Sequence, residues 1–157
     1  MTLYTRRQSL LLPAIPLILS SALARAGELN PAAVTFKLPD QIQWGPPSAA
    51  GAHSAVLTGD PTKEGLYIVM TKWPAGNHFS HPHFHPHDRF ITVLKGTWYV
   101  GTGNTWDPAG ATVAIPAGSF VTHVGKEVHW DGAKDEDAVL LIVGEGPATA
   151  TEAEEKK

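Results

Sequence analysis

His78-Phe79-Ser80-His81-Pro82-His83-Phe84-His85-Pro86-His87-Asp88-Arg89 places five of the chain's eight histidines within twelve residues. In an extended chain, residues two apart share a face, so His81, His83, His85 and His87 can converge on one volume. Two imidazoles in a His-x-His pair lie within reach of one ion, and four alternating histidines flanked by strand-like segments point to a metal site. Pro82 and Pro86 lack amide donors, which suits an edge or the entry of a strand rather than a central ladder.

Strand-like segments surround this stretch. Val34 to Leu38 and Ala55 to Leu57 are short candidates, and Leu66 to Trp73 is a strong one, bounded by Gly65 and Pro74-Ala75-Gly76. Phe90 to Leu94, the turn at Lys95-Gly96 and Thr97 to Val100 have the pattern of a β-hairpin. Ala111 to Ile115, Ser119 to Val124 and Val128 to Trp130 follow, and Ala138 to Val143 is an apolar run suited to a buried strand. No long stretch after the N-terminal segment has a helical period. Fifteen glycines and 13 prolines fit many short strands joined by turns, the pattern of an all-β barrel or sandwich.

Composition removes several function classes. The chain has 157 residues and a net charge of −3, so no basic surface invites nucleic acid or an anionic membrane. There is no cysteine, which excludes disulfides, thiolate ligands and cysteine nucleophiles. Any metal must be held by imidazole, carboxylate, backbone oxygen or water.

Residues 1–26 have the form of a signal peptide. Arg6 and Arg7 precede an apolar run from Leu10 to Leu19, and Ala24-Arg25-Ala26 is a cleavage pattern that would leave Gly27 as the mature N-terminus. Thr5-Arg6-Arg7-Gln8-Ser9-Leu10-Leu11 is similar to a twin-arginine signal, which predicts a periplasmic or secreted protein without stable membrane insertion. Residues 27–146 are then one β-barrel domain. The polar tail 147–157, with no large apolar residue, is expected to be a disordered end.

From about Trp44 to Gly146 the chain resembles the cupin family, in particular small single-domain cupins of type-2-like layout. The first cupin motif starts at Gly76, has its histidine pair at His83-x-His85 and ends at Gly96. The second supplies another histidine near the start of a late strand, where His129 fits and His123 competes. The resemblance implies a double-stranded β-helix, or jelly-roll barrel, with a divalent transition metal (Fe, Mn, Zn or Ni) on His83, His85 and His129. It departs from the family at Arg89, which stands where a Glu ligand is usual and cannot ligate a cation. His87 is a candidate fourth ligand, and a bulge turning Asp88 inward is the other. Arg89, if it faces the barrel, would favour an anionic small molecule.

Such a site serves a metal-dependent enzyme of the dioxygenase or isomerase kind, with the oxygenase type first, or a non-catalytic small-molecule or metal-binding module. Catalytic residues are not assigned. A homodimer is a further expectation. Trp73, Trp98, Trp106 and Trp130 are expected as barrel packing, Asp131 and Lys134 to Asp137 as a solvated turn, and Glu127 as a candidate acid or base beside His129.

Overall fold

The computed structural model describes residue 27 and residues 29–154. The expected signal peptide lies outside the described residues. Two units are described separately. In the first, ending at Phe36, the Asn30 carbonyl accepts from the amides of Ala33 and Val34 at 3.0 Å, which makes a turn. Val34 to Leu38, expected as a strand, forms none.

From Lys37 onward the chain is built of strands: β1 (His53–Thr58), β2 (Gly65–Trp73), β3 (His78–Phe79), β4 (His83–Phe84), β5 (Arg89–Lys95), β6 (Thr97–Thr102), β7 (Val113–Pro116), β8 (Phe120–His123), β9 (His129–Ala133), β10 (Ala138–Gly146) and β11 (Thr151–Glu152). A 3-10 turn at Pro39–Gln41 precedes them. One antiparallel sheet has the order β1-β2-β10-β5-β8, and the other the order β11-β4-β9-β6-β7, with β3 also paired to β9. No described helix is long and apolar enough to cross a membrane.

The core lies between the two sheets and follows from alternation. On β2, Tyr67, Val69, Thr71 and Trp73 are buried while the residues between them are more exposed. Ile91 and Val93 of β5 and Ala138, Leu140 and Ile142 of β10 repeat that pattern and join one apolar cluster with Trp98. Burying each large side chain of this set contributes about 1.5–3 kcal/mol relative to exposure. The apolar run recognised from Ala138 onward is the central strand, paired with β2 on one side and β5 on the other.

β9 is buried at all five positions, because both of its faces are covered. Trp98 donates to Asp131 on one side, and Phe79 meets Trp130 edge-on at 6.3 Å on the other. Gly101 pairs with Trp130, and a Cβ there would fall inside the indole ring. Only glycine fits that position.

Two expectations are corrected here. The segment at Lys95-Gly96 does not close a hairpin: β5 and β6 lie in different sheets. Gly96, at φ 70°, turns the chain from one sheet to the other, and a Cβ on it would strike the Asp137 carbonyl. Local turn chemistry cannot distinguish this corner from a hairpin, because the strand partners come from far along the chain.

The tail is the second correction. Pro147 to Glu154 is not a disordered end, since Thr151 and Glu152 pair with Phe84 and His83. The Ala153 amide donates to Pro82 at 2.9 Å, and Asn104 donates to Glu154 at 2.8 Å. Backbone hydrogen bonds hold this segment, which a composition poor in apolar residues does not register. β11 therefore covers β4, and the histidine strand is not a sheet edge.

Candidate metal centre

His83 of β4 pairs in register with His129, the first residue of β9, while His85 follows β4 directly. Together they offer three nitrogen atoms that lie within 4.8 Å of one another. Each ring is fixed by a backbone carbonyl at Nδ1: His81 for His83 at 2.8 Å, Thr149 for His85 at 2.9 Å, and Glu127 for His129 at 3.1 Å. A carbonyl can only accept, so Nδ1 carries the proton and Nε2 keeps the lone pair. Three converging imidazoles oriented in this way suit a divalent transition metal. The Nε2 atom of His129 is buried without a hydrogen-bond partner, which fits the role of a metal ligand.

The charge states agree with ligation. Burial, reinforced by the Arg89 charge, pushes His85 down to about 3. Burial also lowers His129, to about 4, although the Asp131 carboxylate opposes it. Both rings are therefore neutral at neutral pH, with Nε2 unprotonated.

His123, the competing third histidine, ends β8 and is 5% exposed. Its ring lies 3.8 Å from that of His129, and neither ring nitrogen has a partner. Burial, then the charges of His129 and Arg89, hold it far below the usual histidine range. It stands outside the three-nitrogen group and backs His129.

The remaining candidates separate. His87 is exposed, and exposed Asp88 accepts the Gly125 amide at 2.7 Å, so neither turns inward as a fourth ligand. Arg89 does face the site, and its Nη1 donates to His85 Nε2 at 2.5 Å. It begins β5, flanked in register by His123 and by Gly144, and the Tyr67 hydroxyl fills the space where a Gly144 side chain would stand. Glu127 is exposed and contributes its carbonyl, not its carboxylate. Trp106 stacks on His81 at 4.5 Å and donates to the Ser80 carbonyl, so it packs beside the centre rather than in the barrel core.

Asp131 was assigned to a solvated turn, but it is 5% exposed and lies inside β9. Its carboxylate accepts from Trp98 Nε1 and Ser80 Oγ, both at 3.0 Å. Its position two residues after His129 was the signal, because both share one face of a strand.

A cavity of about 450 Å³ opens beside the triad. Tyr67, Val69, Trp73, Leu140 and Ile142 are among its apolar lining, and His83, His85, Arg89 and Asp131 also line it. Ala148 and Ala150 of the tail complete the lining on either side of the Thr149 carbonyl that holds His85. A chain ending at Gly146 is therefore expected to bind metal about tenfold more weakly, since orienting carbonyls of this kind carry a 10–100-fold effect. Metal titration of the shortened chain checks this.

No protein-family profile matches the chain, and no curated protein matches it. Solved structures do. The polyketide cyclase RemF from Streptomyces resistomycificus superposes with a TM-score of 0.63 at 16% identity, over 79% of this chain and 88% of that one. A cupin-2 domain protein from Rhodospirillum rubrum gives 0.55 at 17%, over 76% and 80%. A double-stranded β-helix protein from Klebsiella pneumoniae gives 0.56 at 21%, over 77% and 97%. With two antiparallel sheets around one core and these neighbours, the chain has the cupin fold, a double-stranded β-helix in a single domain.

Proposed function

We propose that this protein is an exported, metal-dependent enzyme that acts on a small anionic organic molecule. The observation that carries the proposal is the set of three Nε2 lone pairs, each fixed by a carbonyl at Nδ1, beside a mostly apolar cavity of about 450 Å³. A divalent ion bound there would polarise a substrate oxygen as a Lewis acid or, as iron, activate oxygen.

The residues of the chain favour the first chemistry. Three neutral imidazoles leave the ion its full charge, and Arg89 adds another. That surplus stabilises negative charge developing on a substrate oxygen, and it opposes raising the oxidation state of the metal. Apolar walls exclude water and strengthen the electrostatics within the cavity. The polyketide cyclase among the structural neighbours is an enzyme on the same fold, which supports catalysis without fixing a substrate. Residues 1–26 support export to the periplasm.

A non-catalytic binding module is the second reading. It is favoured because both Asp131 oxygens already accept hydrogen bonds, so the carboxylate is not a free base. Zinc-loaded and iron-loaded protein should be incubated with small aromatic and carboxylic compounds while oxygen and products are followed. Product formed without oxygen consumption is expected. Stoichiometric oxygen uptake would assign the oxygenase type instead, and saturable binding without turnover would leave the binding module.

A further inference from the structure

Arg89 and a metal ion compete for the same lone pair. His85 commits Nδ1 to Thr149, so Nε2 is its one remaining acceptor, and Arg89 Nη1 occupies it at 2.5 Å. A guanidinium has no lone pair to offer and keeps its proton throughout the working pH range. An ion bound by all three imidazoles therefore requires Nη1 to leave His85.

Among the described residues the displaced guanidinium has no carboxylate to pair with. Its Nε is already buried without a hydrogen-bond partner. Asp131 is near enough for its charge to act on Arg89, but it forms no ion pair with it, and each of its oxygens already accepts one hydrogen bond, from Trp98 and from Ser80. A divalent ion, three neutral imidazoles, one guanidinium and one carboxylate leave a surplus of positive charge in a poorly solvated space. Such a surplus calls for an anion. The cavity lined by Arg89 and His85 is where an anion can sit, with apolar walls for the rest of the molecule.

We propose that Arg89 is an internal cap on the metal site, and that a small carboxylate in the cavity draws it off His85, so that carboxylate and metal bind cooperatively. This rests on the metal-binding reading above and adds the class of ligand and its coupling to the ion. Linkage makes the effect reciprocal: whatever factor the anion adds to metal affinity, the metal adds to anion affinity.

The test is a cobalt(II) titration of the mature protein, read from the visible absorption of the bound ion. It is run with benzoate as the probe anion and with benzamide as its neutral counterpart. Benzoate is expected to tighten cobalt binding by about tenfold or more, within the usual span of coupling between sites, and benzamide to leave it unchanged. Arg89→Met is expected to bind cobalt about tenfold more tightly than the wild type without any anion, and to gain nothing further from benzoate. The wild-type titration stands by itself if the variant folds poorly.

Equal cobalt affinity with and without benzoate in the wild type would overturn the cap while leaving the metal site in place. Benzoate tightening that persists in Arg89→Met would also overturn it, because the anion would then act on the ion directly. Failure of both proteins to bind cobalt would instead remove the metal-binding reading, and the cap with it.

Discussion

Asp131→Ala is expected to lower the melting temperature by roughly 10–20 °C, the shift that a loss of about 3–5 kcal/mol, from buried donors left without their acceptor, produces in a domain of this size. Three consequences add. Trp98 Nε1, on a side chain 0% exposed, loses its acceptor and remains buried without another. Ser80, which bridges β9 by donating to Asp131 and accepting the Asp131 amide, loses one of its side-chain bonds. The Arg89 charge loses the nearby carboxylate that acts on it. Asp131→Asn keeps an acceptor but not the charge, so it should fall between the two. Pairing Asp131→Ala with Arg89→Met should recover part of the loss, since the buried cation goes too. Thermal unfolding by circular dichroism decides it. A melting temperature for Asp131→Ala within about 3 °C of the wild type would show that this carboxylate is not holding the centre together.

Much of the barrel was legible because its strands alternate strongly. Leu66 to Trp73 and Ala138 to Val143 became β2 and β10 with small changes at their ends. What the sequence concealed was long-range partnership. The corner at Gly96 carries the chemistry of a hairpin, and only the pairing of β5 with β10 and of β6 with β9 distinguishes it. The tail was misread for a related reason: its order comes from backbone bonds to Pro82, His83 and Phe84, which composition does not encode.

At the site, alternation and the cupin resemblance together single out His83, His85 and His129, and the structure brings those three nitrogens together. Asp131 was missed because four charged residues soon after it, Lys134 to Asp137, made the stretch look like a solvated turn. Its alternation with His129 placed it inside. The Thr149 carbonyl could not have been found from sequence, because any residue supplies one.

His129→Ala is expected to lower metal affinity at least about 100-fold, beyond the 10–100-fold effect of groups that only orient a ligand. It removes the imidazole that pairs across from His83 and leaves a two-ligand chelate. His123→Ala removes a neighbouring ring outside the three-nitrogen group and should leave bound metal in place. Elemental analysis of mature wild-type protein beside His83→Ala, His129→Ala and His123→Ala therefore tests the centre most directly. One ion per chain in the wild type and in His123→Ala, with none retained by His83→Ala or His129→Ala, is the predicted result. Metal retained by His129→Ala but lost from His123→Ala, or more than one ion per chain in the wild type, would contradict the three-histidine centre.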